Sequence, residues 1–427
     1  MESKIIYIFV GNSEKKKLVG EAIKYSQIKE KIKSNVLKEQ GDNLAYFTHY
    51  LHNTKNGGSK FYKSNAVEYF EKIAEEPLKE YLRLKLEFDV PFPPIKKPKF
   101  TFIDLFAGIG GFRIAMQELK GKCVFSSEID KYAKQTYDLN FGEVPFGDIT
   151  KIDENDIPEH DILCAGFPCQ AFSIAGKRKG FEDETRGTLF FDIKRIIDAK
   201  RPKAFFLENV KGLTNHDKGR TLKTILKVLR EDLDYFVPEP RIMNAKDFGV
   251  PQNRERIFIV GFRKNLGISE FEYPKPTDKS VKFADIKEKD EVSVKYYLST
   301  QYQDTLRNHK ERHKNKGNGF GYEIIKDDEC ANAIVVGGMG RERNLVIDCR
   351  LTDFTPVTKI KSAVNREGWR RMTPKEWARL QGFPDTFDIK VSDAQAYKQF
   401  GNSVAIPAIK ATAQKLVSEL IKSKYVK

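Results

Sequence analysis

The sequence predicts an α/β protein built on one wide sheet, with a smaller loop-rich domain late in the chain and an N-terminal extension ahead of the sheet. Three observations carry that prediction. Short apolar runs alternate with helical stripes from about residue 99 to residue 276, glycine or proline turns follow the runs, and the alternation then fades until a last amphipathic stripe closes the chain. Strand, helix and strand at this rhythm imply right-handed βαβ units and a parallel sheet.

The elements follow in order. Ile5 to Val10 reads as a strand, too short for a leader peptide and followed at once by polar residues. Val67, Phe70, Ile73 and Ala74 recur at helical spacing, as do Leu78, Tyr81 and Leu82. Residues 90–98 hold so many prolines that helix and sheet interior are excluded, so a stiff linker and a domain boundary are expected near residue 98. Strands are expected at Phe102–Phe106, Cys123–Ser127, from Asp161, at Ala204–Leu207 and at Arg256–Phe262. Helices are expected from Gly111, over Lys131–Leu139, over Gly187–Ala199 and around Leu222–Leu229. Residues 277–395, rich in Lys, Arg, Gly and Asn, read as the second domain. The closing stripe from Ile406 to Ile421, with Pro407 near its start, is expected to pack back on the sheet and complete the domain begun at residue 99.

Composition narrows the function. A chain of 427 residues with 40% apolar content can bury real cores. Its five cysteines are odd in number and lack paired spacing, which argues against a disulfide framework and for a reducing compartment. No run approaches the ~20 apolar residues a membrane span needs, so the cytoplasm is expected. A net charge of +15 points to a polyanionic partner, with nucleic acid first.

The chemistry centres on Gly166-Phe167-Pro168-Cys169-Gln170. A proline-fixed turn follows an apolar strand, which places Cys169 at the carboxyl edge of the sheet, where open α/β sheets bind ligands. A lone cysteine is more often an inert buried hydrophobe, so the rest of the chain has to supply the context. Phe102 to Gly111 is a strand running into a glycine turn, the arrangement that lets a ligand approach backbone closely. Arg113 stands where a dinucleotide fingerprint needs its third glycine, which counts against NAD. Glu128 follows the next strand, placed to accept ribose hydroxyls, and Asp148 follows the segment after it, suited to an adenine amino group. Glu208 follows its strand as Cys169 follows its own, so carboxyl and thiol have one edge on which to meet; a capping or ion-paired glutamate is the plain alternative. Arg254 and Arg256 are spaced to share a face of an extended strand and suit an anion or a polarised carbonyl.

From about Lys99 onward these strings, in order, resemble the motifs of the bacterial DNA (cytosine-5) methyltransferases. So do Arg186-Gly187-Thr188-Leu189-Phe190, Arg371-Met372-Thr373-Pro374-Lys375-Glu376, Leu380-Gln381-Gly382-Phe383-Pro384 and Gln399-Phe400-Gly401-Asn402-Ser403-Val404. The resemblance implies a Rossmann-like methyltransferase domain that takes S-adenosylmethionine and a target-recognition domain over 277–395. Around the cofactor it implies Phe106, Gly108, Gly110, Glu128, Ile129, Asp148, Ile149, Pro168, Leu189, Asn402 and Ser403. It implies that Cys169 adds to carbon 6 of a cytosine flipped from the duplex, with Glu208, Arg254 and Arg256 as its catalytic companions. On DNA it implies Gln170, Ser173, Lys177, Arg178, Gly319, Gly338 and Arg341, while Ala175 stands where a serine is often found.

The stretches 316–322 and 337–341 are similar to members that modify sites beginning with two cytosines. The partners implied are double-stranded DNA and, functionally, a cognate restriction endonuclease without a stable complex, the enzyme acting as a monomer. No metal is expected: His309, His313, Cys330 and Cys349 lack a Cys-x-x-Cys pairing. RNA as the methylated polymer, and a DNA-binding repressor that keeps the fold, are the competing readings. The extension is open to operator binding or to a docking role.

Overall fold

The structure is a computed structural model, and it describes residues 22–32, 36–38, 41–53, 59–73, 85–168, 189–277, 280–337, 340–357 and 362–426. The strand expected at Ile5–Val10 and the stripe of Leu78, Tyr81 and Leu82 lie outside these residues. The first part of the chain holds β1 (Ala22–Lys24), α1 (Tyr25–Ile32), α2 (Asn43–Asn53), α3 (Ser59–Ile73) and β2 (Lys85–Glu87). The alternating part follows with β3 (Phe100–Leu105), α4 (Gly111–Glu118), β4 (Gly121–Ser127), α5 (Lys131–Phe141), β5 (Ile162–Gly166), α6 (Leu189–Lys200), β6 (Ala204–Val210) and α7 (Arg220–Lys227). The strands β7 (Tyr235–Phe236), β8 (Arg241–Asn244), β9 (Gln252–Asn253) and β10 (Glu255–Arg263) complete it.

These strands form a seven-stranded sheet in the order β4-β3-β5-β6-β10-β7, with β8 also paired to β10. The four strands from β4 to β6 are parallel. The all-parallel expectation needs a correction beyond them, because β10 runs antiparallel to β6, β7 and β8. No helical crossover separates β8 from β10: only the short segment 245–254 does, and a chain that turns back this quickly must pair antiparallel.

Side-chain alternation along each strand splits the core into two faces. Phe102, Cys164, Phe206 and Phe258 face one side, under α4 and the closing helix, and Ile103, Leu163, Phe205 and Ile257 face the other, against α6 and α7. Burial on both faces explains why these strands read as continuous apolar runs. Asp104 of β3 is a buried carboxyl within this core whose two oxygens find no hydrogen-bond partner.

The N-terminal helices are not the separate piece expected from the proline-rich stretch. Phe47, Tyr50, Tyr62 and Ala66 share a core with Leu105, Phe125 and Phe146 of the sheet domain. The proline-rich stretch itself is pinned: the Phe92 N–H donates to the Asn140 carbonyl at 2.9 Å, and the Phe92 ring packs on Phe141 and Phe387.

The late region is less irregular than its composition predicts. It contains the long helix α8 (Thr300–Asn315), capped by Ser299, and a small sheet of β11 (Ile324–Ile325), β13 (Leu345–Ile347) and β14 (Trp369–Arg371). The two-residue strand β12 (Ala331–Asn332) pairs with β9 and so ties this region to the main domain. The chain closes through α9 (Pro374–Leu380), α10 (Asp393–Asn402) and α11 (Ile406–Lys422). Thr373 and Glu376 cap α9 reciprocally, and Pro407 sits in the first turn of α11, where its missing N–H has no helical partner to lose. No helix among the described residues is long and apolar enough to cross a membrane.

Candidate active site

The carboxyl ends of the four parallel strands converge. After β3, the chain turns through positive φ at Phe106 (55°), Gly108 (55°) and Gly110 (87°) before α4 begins. Gly110 has no room for a side chain, since an added Cβ would meet the Phe141 ring. At Gly108 the opposite holds: an added Cβ would meet nothing within 4 Å, so the backbone there faces open space.

Glu128, just past β4, reaches back to this turn. Its Oε2 accepts from the Gly108 N–H at 2.8 Å and its Oε1 from the Asp130 N–H at 2.7 Å. Burial raises the pKa of Glu128 against these two bonds. The adjacent Ile129 is 73% exposed, an apolar side chain left uncovered beside a hydrogen-bonded carboxylate. Asp148 caps a short 3-10 turn, accepting at Oδ1 from the Thr150 N–H and hydroxyl, while Ile149 is buried behind it. A nucleoside with a cationic tail fits here: open backbone at Gly108, an apolar face at Ile129, and carboxylates at Glu128 and Asp148.

Glu208, 7% exposed, lies next door at the end of β6 and is the register partner of Gly166 at the end of β5. Its Oε1 pairs with Arg256 Nε at 3.1 Å, and its Oε2 lies 3.5 Å from the position a Cβ on Gly166 would take. Burial raises its pKa, with Arg256 and Arg254 opposing. Asn209 donates to the Phe167 carbonyl at 2.9 Å, which ties this strand end to the turn before Pro168. Pro168 is exposed. Cys169, Gln170, Ser173, Lys177, Arg178 and Gly338 lie outside the described residues.

The two arginines divide rather than pair. Arg256 turns to Glu208, whereas Arg254 is buried and donates to the carbonyls of Ile334, Gly401 and Ser403 at 2.8, 3.1 and 2.8 Å. Arg254 therefore does not present the substrate-facing guanidinium expected of it. The strand is interrupted between β9 and β10, so the i, i+2 spacing does not set both side chains on one face.

Two further buried amides, Gln252 and Gln381, bond each other and tie the surrounding backbone together. Gln252 bonds the Leu380 carbonyl and the Ile334 N–H, and Gln381 bonds the Phe400 carbonyl at 2.8 Å. Their motif strings are plain in the sequence, but nothing in a string says which backbone a buried amide will reach. Through the Gln381 and Arg254 bonds the end of α10 at Asn402 and the Ser403 that follows are held over the start of α4, with Val404 2.7 Å from a Cβ placed on Gly111 and 3.6 Å from one on Gly166. Asn402 is exposed, and Ser403 and Leu189 are partly buried at the rim. In the late region Gly319 and Arg341 are exposed, the Arg341 guanidinium 5.4 Å from the Tyr397 ring centre.

An open α/β sheet with a glycine turn, a backbone-held carboxyl and a carboxyl–guanidinium pair at its strand ends is the setting in which α/β enzymes bind nucleosides. The sequence model of the C-5 cytosine-specific DNA methylases matches residues 100–418. The type II methyltransferase M.HpaII of Haemophilus parainfluenzae is 70% identical over 351 residues, 82% of this chain and 96% of that protein. M.HhaI of Haemophilus parahaemolyticus is 42% identical over 323 residues, 75% of this chain and 94% of that protein. Among solved structures, the Entamoeba histolytica methyltransferase EhMeth superposes with a TM-score of 0.58 at 20% identity, covering 76% of this chain and 99% of that one, which bears on the fold alone.

The chain belongs to the C-5 cytosine-specific DNA methylases. It is an enzyme that transfers a methyl group from S-adenosylmethionine to carbon 5 of cytosine in DNA.

Proposed function

We propose that the enzyme is the protective half of a type II restriction-modification pair, methylating one cytosine in a short duplex site in the cytoplasm as a monomer. Relatives 70% and 51% identical carry type II names, and the 351 residues matched to M.HpaII, 82% of the chain, extend beyond the sheet domain into the late region. A cognate endonuclease would share the recognition site without binding the enzyme. The site is read as one beginning with two cytosines, through Gly319, Gly338 and Arg341, with Lys177 and Arg178 on phosphates and Gln170 and Ser173 near the flipped base.

The pairing of Glu208 with Gly166 across β5 and β6 is the observation that carries the mechanism. The strand that leads to Cys169 ends beside a buried carboxyl whose proton affinity is raised and whose Oε1 is fixed by Arg256. Carbon 5 of cytosine is a poor nucleophile until a thiolate adds at carbon 6. Cys169 supplies that thiolate, and Glu208 holds a proton at ring nitrogen 3 so that the negative charge of the adduct is neutralised. Arg256 orients Glu208 and faces the oxygen at carbon 2, while Arg254 holds the end of α10 and Ser403 in place. Phe106, Gly108, Gly110, Glu128, Ile129, Asp148, Ile149, Pro168, Leu189, Asn402 and Ser403 are the residues that would hold S-adenosylmethionine, which when bound would supply an electrophilic methyl for carbon 5 and leave as the neutral thioether. Loss of the carbon-5 proton to a base and elimination of the Cys169 thiolate from carbon 6 then restore the ring.

The test is incubation with duplex DNA carrying 5-fluorocytosine and S-adenosylmethionine. A covalent complex is expected, lost in Cys169→Ala, and bisulfite sequencing of DNA from cells expressing the protein should show a single methylated motif. No complex with the intact protein, or one that survives Cys169→Ala, would overturn the mechanism. Methyl transfer to RNA in preference to duplex DNA would overturn the substrate.

A further inference from the structure

The family match begins at residue 100, yet side chains from before it complete the hydrogen bonding of the sheet at its cofactor end. β4 is the last strand on that side, and among the described residues its outer edge meets a neighbouring backbone only at the bridge between Ser127 and Phe146. Unpaired strand groups buried away from water are costly. The N-terminal segment supplies their partners. Tyr62 of α3 donates to the Val124 carbonyl at 2.5 Å, and the Ser126 N–H donates to His49 Nε2 of α2 at 3.2 Å. His49 Nδ1 in turn donates to the Ala45 carbonyl at 2.9 Å, which fixes the neutral tautomer with its free nitrogen toward the strand.

The same segment grips the stretch that leads to Asp148. His52 Nε2 donates to the Gly142 carbonyl at 2.9 Å, the Val144 N–H to Thr48 Oγ1 at 3.0 Å, and the Gly147 N–H to Asp42 Oδ1 at 2.8 Å. On its other side this stretch bonds β4, with the Phe146 N–H on the Ser126 carbonyl and the Glu128 N–H on the Phe146 carbonyl, both at 2.8 Å. The rings of Tyr46, His49 and Phe125 pack on the Phe146 ring, each with ring centres within 5.0 Å. Beneath, Glu143 is buried against Arg113 of α4, whose guanidinium keeps the carboxyl charged despite burial.

We propose that α2 of the N-terminal segment, with Asp42 just ahead of it, is a positioning element for the methyl donor, holding residues 142–148 and the β4 edge so that Glu128 and Asp148 stand at fixed separation. This rests on the reading of Glu128 and Asp148 as cofactor contacts. The role is specific: α2 and Asp42 act on cofactor affinity and leave target recognition alone, because among the described residues their hydrogen bonds outside the segment fall on α4, β4 and residues 142–147, and none reaches the late region.

The experiment uses the full chain. Asp42→Ala removes a partly exposed acceptor and should leave the fold intact; His49→Phe leaves the Ser126 N–H without an acceptor, and His49→Gln restores one. Each variant is checked by circular dichroism, and S-adenosylmethionine binding is then measured by calorimetry alongside KM for cofactor, KM for duplex DNA and kcat. Asp42→Ala and His49→Phe are expected to weaken cofactor binding about tenfold, the scale of one lost buried hydrogen bond. KM for DNA and kcat at saturating cofactor should stay within about twofold, and His49→Gln should recover most of the affinity.

Wild-type cofactor affinity in folded Asp42→Ala and His49→Phe overturns the proposal, as does a parallel rise of both KM values. If His49→Phe does not fold, Asp42→Ala alone decides. Glu128→Gln is run beside them: if it leaves cofactor binding unchanged, the cofactor reading fails first and takes the proposal with it. If it weakens binding while Asp42→Ala does not, only the role of the segment fails.

Discussion

Two glutamates stand at the carboxyl edge of one sheet, Glu128 after β4 and Glu208 near the end of β6, and burial raises the pKa of both. They are held in different ways. Both oxygens of Glu128 accept backbone N–H groups, which are fixed by the fold and favour the charged form. Glu208 is held at one oxygen by the side chain of Arg256, and its other oxygen points toward the turn that precedes Cys169. A carboxylate clamped by backbone is a rigid acceptor for a bound ligand. One tethered on a single side by a guanidinium remains free to hold a proton where the pyrimidine must sit. On the function proposed above, the same residue type serves the two halves of one reaction, and the donors around it decide which.

The contrast is broken most completely at the target half. Cys169→Ala should abolish methyl transfer, by about 10⁴-fold or more in kcat, while calorimetric affinity for S-adenosylmethionine stays at the wild-type value. Glu208→Gln should lower kcat by about 10²- to 10³-fold, again without affecting cofactor binding. The sign of its pH dependence follows from the raised pKa. The protonated form persists above the ordinary carboxylate range, and the activity that needs it is lost as pH rises through the folded value. The alkaline limb of kcat/KM should therefore be absent from the residual activity of Glu208→Gln.

The cofactor half should respond differently, and less. Glu128→Gln is expected to raise KM for S-adenosylmethionine by about tenfold with kcat nearly unchanged, as steady-state kinetics with either substrate varied would show. An equal fall of kcat in Glu128→Gln would erase the distinction between the two glutamates.

The smallest effect is expected at a third carboxyl on the same sheet, Asp104, which no hydrogen bond holds. Burial raises its pKa well above the ordinary value, with Arg113 opposing. A raised acid binds its proton more tightly folded than unfolded, so its contribution to stability falls as pH climbs from the ordinary carboxylate range toward the folded value. Asp104→Asn is uncharged throughout. It should therefore be more stable than the wild type at neutral pH by about 1 kcal/mol, with a gap that shrinks toward pH 4, as urea unfolding at several pH values would measure.

Most of the alternating domain was legible from its residues. Strands buried on both faces read as unbroken apolar runs, turns read as glycine and proline, and the helices showed their stripes, so Phe102 to Phe106 and Ile406 to Ile421 fell within a residue or two of the observed β3 and α11. The candidate site was legible to the extent that its residues follow those strands. Glu128 and Glu208 stand at the edge where strand ends had placed them. Arg254 did not conform, because its spacing from Arg256 describes a face only if the strand is continuous, and the chain breaks between β9 and β10.

What the sequence determined alone was the set of local elements and the chemical groups at their ends, since both depend on a few neighbouring residues. What only the tertiary structure decided was partnership over long separations. The antiparallel turn of β10, the carbonyls that receive Arg254, and the docking of His49 and Tyr62 on a strand more than 60 residues away all arise from buried polar groups seeking partners in space. A hydrogen bond satisfied across that distance leaves no periodicity in the chain, and so the N-terminal helices read as a separate piece until the edge they close was seen.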